Sequence, residues 1–168
     1  MSISGLHQLS MSSPLGDVFL QATEKGVHAV FFTDENKEKL ENTADPWPHL
    51  LLAKKQMEEY FEGKRKEFQL SFDLSGSAFQ KKVWELLMDV PFGSQRSYLD
   101  QAKIYGDPKA IRAIAKANGE NPVAIIIPCH RIVGTDGSLT GYAGGLWRKK
   151  WLLEHELKFS GKEQFSLF

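Results

Sequence analysis

The sequence contains one cysteine and no long apolar run in its 168 residues. A single thiol cannot form a disulfide within the chain, which points to a reducing compartment and excludes cysteine-rich zinc scaffolds. The longest apolar runs, at residues 29–32, 50–53 and 123–127, are far shorter than the roughly 20 residues of a membrane-spanning helix. The first residues lack the charged and apolar regions of a signal peptide. We therefore expect an untargeted intracellular protein, cytoplasmic or, in a eukaryote, nuclear.

The chain also lacks net charge, but its two halves differ. Residues 1–75 carry 8 basic and 12 acidic side chains, a net charge of −4, whereas residues 76–168 carry 13 and 9, a net charge of +4. A basic second half is compatible with a phosphate-backbone partner, although many solvated surfaces are equally basic. We place a domain boundary at Ser75-Gly76-Ser77 and expect two domains, at residues 1–75 and 76–168.

The first domain reads as short strands and a helix. Apolar patterning predicts strands at residues 16–22, 26–32 and 69–74 and a helix at residues 49–61. The three histidines of this half, His7, His28 and His49, have no second ligand at metal spacing, so we expect no metal site there.

The second domain begins with a series of short helices. Their predicted ranges are residues 79–90, 98–106 and 108–118. Ser97 with Asp100 forms a variant of the capping box, Gly106 is a helix terminator, and Asp107 with Pro108 suits the start of the next helix. Two short helices joined by a turn that contains glycine indicate a helix-turn-helix.

The helix at residues 108–118 is thin and cationic. Lys109, Arg112 and Lys116 recur at helical spacing, and alanines occupy many of the positions between them. This composition suits insertion into a groove of nucleic acid, but an ordinary solvated helix face is an equally good interpretation of the pattern alone.

The only cysteine follows a β-branched apolar run at residues 123–127, which predicts a buried strand that Pro128 stops. A lone cysteine is more often buried and inert than reactive, but His130 directly follows Cys129. Because adjacent residues in an extended chain point to opposite sides, contact between them would need a turn or a bridging water.

A last helix is expected at residues 146–157, after a hairpin signal at Asp136-Gly137 and a flexible loop at residues 144–145. Its core stripe is predicted to contain Leu146, Leu153 and Leu157, with Glu156 at the edge. A carboxylate there needs a partner, and His130 would supply one. The resulting Cys, His, Glu arrangement would activate the thiol. His155 is expected to pack against Trp151 and Trp147.

These residues resemble the O6-alkylguanine-DNA alkyltransferases over residues 79–157. The resemblance is carried by the motifs Asn121-Pro122, Pro128-Cys129-His130-Arg131, Gly141-Tyr142-Ala143-Gly144-Gly145 and Trp151-Leu152-Leu153-Glu154-His155-Glu156. Residues 1–75 resemble the family's N-terminal domain only in length and strand order.

The resemblance implies an α/β (α+β) fold, with a small ribonuclease-H-like α/β domain followed by a mostly helical, winged-helix-like domain. It implies single-turnover DNA repair, in which an alkyl group moves irreversibly from O6-alkylguanine, and from O4-alkylthymine, to the protein's own cysteine after base flipping. The implied partner is alkylated double-stranded DNA, contacted by a monomer through the minor groove. No cofactor, metal or membrane is implied.

Individual roles follow from the same resemblance. Cys129 would be the alkyl acceptor, His130 the base acting through water, Glu156 its orienting acid, and Asn121 a hinge bracing the cysteine loop. Tyr98 would protonate or polarise guanine at N3.

The remaining implied roles concern DNA and the base pocket. Arg112 would be the finger that enters the base stack, and Glu120 departs from the basic or small residue expected before Asn121. Further DNA contacts are implied for Lys109, Ala113, Lys116 and Arg131, and pocket positions for Pro128, Ile132, Tyr142 and Ala143.

Two rival functions compete with this interpretation. A non-catalytic DNA-binding module would use the same helix-turn-helix but would have no need of Cys129. A cysteine hydrolase would use the same Cys, His, Glu set and would turn over repeatedly on an ester or amide.

Overall fold

The chain forms two compact units in a computed structural model that describes residues 5–35 and 41–161. The first unit is Met1–Ser75 with Pro122–Ile126, and the second is Gly76–Asn121 with Ile127–Phe168. None of the helices in the described ranges is long and apolar enough to span a membrane.

An antiparallel sheet and one helix make up the first unit. The strands β1 (His7–Met11), β2 (Val18–Thr23) and β3 (Gly26–Phe32) lie in the order β1-β2-β3, and the helix α1 is Pro48–Phe61. The predictions of β2, β3 and α1 are confirmed. β1 was not predicted, because only Leu9 and Met11 are buried in its five residues, which is a weak alternation.

The strand predicted at residues 69–74 is wrong. Only Phe72 forms a bridge, parallel to Val27 of β3. The backbone of Gln69 is instead bound by the buried side chain of Gln56, which accepts from its N–H at 2.9 Å and donates to its carbonyl at 3.2 Å. The Gln56 side chain therefore binds the backbone N–H and C=O of Gln69, which a neighbouring strand would bind in a sheet.

Three helices open the second unit, α2 (Ala78–Leu87), α3 (Tyr98–Tyr105) and α4 (Ile111–Gly119). A complete capping box between Ser77 and Gln80 starts α2. The Ser97 side chain accepts from the Asp100 N–H, and Gly106 ends α3 in the left-handed conformation with φ 110°, which confirms both predicted signals. α2 ends before the predicted residue 90, and a 3-10 turn at Pro108–Ala110 precedes α4.

Trp84 of α2 anchors the end of α4. Its indole Nε1 donates a buried hydrogen bond to the Ala117 carbonyl at 2.8 Å. Val83 and Leu87 of α2 and Ile114 of α4 are also buried, so the apolar faces of these helices contribute to the core of the second unit.

The predicted strand at residues 123–127 is a series of turns. Val123 bridges Val30, but the Ile126 N–H then bonds to the Ala124 carbonyl at 2.8 Å across Ile125, whose φ is +72°. This is a γ-turn at a β-branched residue, a strained conformation. The apolar run correctly predicted burial, but burial did not require a strand.

The strands β4 (Arg96–Ser97) and β5 (Ile132–Val133) form a two-stranded parallel sheet. The hairpin predicted at Asp136-Gly137 is a closed turn instead. The Gly137 N–H donates to the Gly134 carbonyl, and the Gly134 N–H donates to the Ser138 carbonyl, both at 2.8 Å.

The last helix, α5 (Leu146–Phe159), buries polar residues that the apolar pattern did not predict. Leu146 was expected in the core but is 48% exposed, whereas Arg148 and Lys149 are buried. His155 stacks on Trp151 with ring centroids 4.7 Å apart, as predicted. Trp147 does not join them; it is 57% exposed and lies under the Arg148 guanidinium.

Replacing Trp84 with Phe should destabilise the second unit by about 1–2 kcal/mol, because it removes one buried hydrogen bond and part of the packing. The loss stays moderate because Ala117 retains a bond from the Glu120 N–H. Urea unfolding measures it. The exposed Trp147→Phe is the control, expected within about 0.5 kcal/mol of the parent; equal losses in both variants would argue against the anchor.

Candidate active site

Cys129 lies in a tight turn rather than at the end of a strand. Pro128, with φ −85° and ψ 61°, forms an inverse γ-turn closed by the Cys129 N–H and the Ile127 carbonyl at 2.9 Å. Residues Cys129–Arg131 then form one 3-10 turn. The thiol remains partly exposed, which is a requirement for a reactive cysteine.

The side chain of Asn121 braces this turn. Its Nδ2 donates to the Ile127 carbonyl at 2.7 Å and to the Cys129 Sγ at 3.3 Å. Residues 122–126 belong to the first unit, so Asn121 and Ile127 are the points where the chain leaves and re-enters the second unit. The Asn121 amide therefore ties the residue at which the chain leaves the second unit to the residue at which it returns, and it also contacts the Cys129 sulfur.

His130 and Glu156 meet in the core. The Nε2 of His130 lies 2.7 Å from Oε2 of Glu156, and both side chains are essentially inaccessible to solvent. The Nδ1 atom of His130 is buried and has no hydrogen-bond partner within the described ranges. If Nε2 carries the proton that faces the carboxylate, the lone pair of the neutral imidazole lies at Nδ1.

Arg131 occupies a different place from the one predicted. It is 6% exposed, and its Nε and Nη2 donate to Glu156 Oε1 and Oε2 at 2.8 and 3.0 Å. Its Nη1 donates to the Val90 carbonyl at 2.6 Å. The prediction that Arg131 contacts DNA is wrong for this structure, because the guanidinium is buried and its donors bind groups of the protein.

The protonation states of the core pair follow from burial and from Arg131. Burial lowers the pKa of His130, and the neighbouring Glu156 offsets this only in part. Burial alone would raise the pKa of Glu156, but His130 and Arg131 together outweigh it and hold this pKa well below its usual range. Arg131 is permanently charged and balances the carboxylate, so we expect His130 to be neutral at neutral pH.

A cavity of about 60 Å³ opens beside Cys129. Its wall brings together α3, α4 and the loop before α5, through Tyr98, Asn118, Tyr142 and Ala143. The resemblance implied base-pocket positions for Tyr142 and Ala143 and a guanine contact for Tyr98, and all three line this cavity.

Two further residues predicted for the pocket lie elsewhere. Pro128 is buried in the turn before Cys129, and Ile132 is fully buried in β5. Both therefore support the cysteine turn from the core side and, in the described part of the chain, do not form the cavity wall.

Lys149 was missed by the sequence analysis. It is fully buried, and its Nζ donates to the carbonyls of Thr140 and Gly141 at 2.8 and 3.2 Å. The Tyr98 hydroxyl donates to the same Thr140 carbonyl at 3.0 Å. Burial lowers the pKa of Lys149 to about 8, while the nearby Cys129 acts in the opposite direction. The only sequence signal was a lysine at a position where the helical stripe required an apolar residue.

Tyr98 keeps its proton in this environment. Burial raises its pKa, and the hydrogen bond to Thr140 offsets this only in part. The hydroxyl is therefore a donor beside the cavity.

The cationic residues of the helix-turn-helix are exposed. Arg112 and Lys116 lie on α4, and Lys109 lies on the preceding 3-10 turn. Ala113 is exposed between them, so the surface is thin as well as basic.

Comparisons with known proteins match both parts of the chain to one family. Residues 78–158 match the DNA binding domain of 6-O-methylguanine DNA methyltransferase, and residues 6–74 match its ribonuclease-like domain. The methylated-DNA--protein-cysteine methyltransferase of Methanosarcina barkeri is 43% identical to this chain over 150 residues. The matched region covers 87% of this chain and 94% of that protein. The constitutive enzyme of that name from Bacillus subtilis is 40% identical over 157 residues, covering 90% and 95%.

A solved structure extends the likeness to the whole fold. Mycobacterium tuberculosis OGT in complex with DNA has a TM-score of 0.81 and 39% identity, covering 91% of this chain and 94% of that chain. The protein is therefore a methyltransferase of DNA repair that acts by alkyl transfer. Within that class, the chain belongs to the 6-O-methylguanine DNA methyltransferase family.

Arg131→Met should destabilise the fold by about 3–5 kcal/mol, because it leaves a buried carboxylate without its permanent counter-charge. The pKa of His130, measured by NMR, should rise as the imidazolium replaces the guanidinium.

The pH dependence of unfolding is a second consequence of losing Arg131. The folded-state pKa of Glu156 lies below its unfolded value near 4.5, so the contribution of Glu156 to the stability of the fold is complete above that pH and is lost as the pH falls. Acid unfolding of the variant should therefore begin at a higher pH.

The matched control is Arg65→Met, which breaks the partly exposed ion pair with Glu59 and should cost less than about 1 kcal/mol. A His130 titration unchanged in Arg131→Met would contradict the electrostatic role given to Arg131.

Proposed function

We propose that Cys129 accepts the alkyl group from O6-alkylguanine, and from O4-alkylthymine, in double-stranded DNA. The observation that carries this proposal is that the chain's single cysteine opens into a cavity beside Tyr98 and directly precedes a histidine paired with a buried carboxylate. A family that methylates a protein cysteine needs such a thiol, and this chain has one candidate.

The reaction is an in-line displacement at the alkyl carbon. The thiol proton passes through a bridging water to Nδ1 of His130, and Glu156 stabilises the imidazolium that forms. The sulfur forms the new S–C bond as the C–O6 bond breaks. Guanine leaves with the electron pair of that bond and takes a proton at N3 from Tyr98. The phenolate of Tyr98 is then reprotonated from solvent.

The thioether product is stable, and the sequence holds no second cysteine to remove the alkyl group. Each protein molecule would therefore act once. We also propose that it acts as a monomer and needs no cofactor or metal. We place it in the cytoplasm, or in the nucleus of a eukaryote.

DNA would contact the exposed cationic surface of α4 through the minor groove. Arg112, central among Lys109 and Lys116, would enter the base stack where the damaged nucleotide leaves it. A cavity of about 60 Å³ is smaller than the roughly 300 Å³ of a typical ligand pocket. The loop that carries Tyr142 and Ala143 would therefore move outward to admit the base.

Intact-mass spectrometry after mixing with methylated duplex DNA tests the proposal. We expect one added methyl group, located on the Cys129 peptide, and none in Cys129→Ser, because the serine hydroxyl has too high a pKa to ionise. The variant should still bind duplex DNA within a few-fold of the parent. A methyl group on another residue, or repeated turnover on an ester or amide, would overturn the assignment.

Arg112→Ala should slow repair of O6-methylguanine in duplex DNA by about tenfold or more, the effect of losing roughly 1.4 kcal/mol. The reaction with free O6-benzylguanine should stay close to the parental rate, since a free base has no stack to leave. Lys116→Ala is the matched control on α4; it should weaken DNA binding and reduce the salt dependence without a specific effect on transfer. Equal losses of Arg112→Ala on duplex and free base would argue against a flipping role.

A further inference from the structure

Two buried amides join the helices of the helix-turn-helix. Gln101 of α3 is 3% exposed and Asn118 of α4 is 6% exposed. Gln101 Nε2 donates to Asn118 Oδ1 at 2.7 Å, and Asn118 Nδ2 donates to Gln101 Oε1 at 2.8 Å. The pair forms a closed ring of two hydrogen bonds.

Such a pair contributes geometry more than stability. Replacing both partners of a buried hydrogen bond by apolar groups of the same shape is often nearly neutral, whereas removing one partner is costly. The two reciprocal bonds also form only when α3 and α4 have one rotation about their axes and one axial position relative to each other. A slide or turn of α4 against α3 would break both bonds at once.

The pair lies between the two reacting ends of the proposed site. On α3, Gln101 is one turn from Tyr98 and shares its face. On α4, Asn118 lines the same cavity as Cys129, and its carbonyl accepts from the Asn121 N–H at 3.3 Å. Asn121 in turn contacts the Cys129 Sγ. Hydrogen bonds linked through the covalent frames of Asn118 and Asn121 thus connect α3 to the sulfur.

We propose that Gln101 and Asn118 are positioning residues for alkyl transfer, which fix the distance between the Tyr98 hydroxyl and the Cys129 sulfur. The proposal rests on the function assigned above to Cys129 and Tyr98. Neither amide needs to touch the transferred group. Their effect on the rate comes from holding the proton donor for the leaving base and the nucleophile on opposite sides of one cavity.

Apolar isosteres provide the test. Gln101→Met and Asn118→Leu each leave one buried amide without its partner, so both should lower the midpoint of urea unfolding. The double variant should regain that midpoint, because no buried amide then remains unpaired. Its single-turnover rate constant at saturating duplex DNA should nevertheless stay about tenfold below the parental value. Duplex affinity and the pH dependence of iodoacetamide reaction with Cys129 should be unchanged.

A swapped pair and a distant glutamine supply the controls. Gln101→Asn combined with Asn118→Gln keeps the total side-chain length and both bonds, so it should restore the rate to within about threefold of the parent. Gln56→Met removes a buried amide from the first unit and should lower stability without slowing transfer. The apolar double variant removes both amides of the pair, and the swapped variant keeps both paired. Neither leaves a member of the pair without its partner, so these two variants test the proposal even if the single variants fail to fold.

Two outcomes would overturn the proposal. Parental transfer by the apolar double variant would mean that the pair only stabilises the fold, and a folded swapped variant that stays slow would mean that the bonds do not set the geometry. Failure of the proposed function itself is distinguishable, because it would appear as absent alkylation of Cys129 in the parental protein.

Discussion

A buried carboxylate organises the second unit. Glu156 has almost no solvent contact, and its two oxygens take hydrogen bonds from His130, Arg131 and the Gly93 N–H. Removing any one donor leaves the buried carboxylate short of a hydrogen bond that water cannot replace, and removing Arg131 also leaves its charge unbalanced. The cysteine turn, the segment that contains Gly93 and α5 are therefore held together by one side chain, and the bond to His130 also orients the imidazole of the residue that follows Cys129.

Local signals predicted local structure well. The Ser97 cap and the Gly106 terminator act on atoms within a few residues, and the structure has both where the sequence placed them. The meeting of His130 with Glu156 was also predictable, because a carboxylate beside a core stripe needs a partner and few candidates exist.

Long-range choices were not predictable from pattern. The run at residues 123–127 is apolar and mostly buried, yet the chain turns sharply at Ile125. No periodicity in so short a run distinguishes a strand from a series of turns. The family resemblance implied a DNA contact for Arg131, and only the fold shows that this side chain neutralises Glu156. Lys149 was missed because its partners are backbone carbonyls, which carry no signature in the sequence.

The way Lys149 is held has an electrical consequence for the site. Glu156 and Arg131 cancel as a neutral pair, whereas the ammonium of Lys149 is met by the carbonyls of Thr140 and Gly141 and by the Tyr98 ring. Among the described residues, a buried positive charge without a carboxylate partner therefore lies close enough to Cys129 to interact with it. Its field favours the anionic form of the Cys129 sulfur and, in the proposed reaction, negative charge on the departing base. Because burial lowers the pKa of Lys149 to about 8, this charge and its field would weaken in mildly alkaline solution.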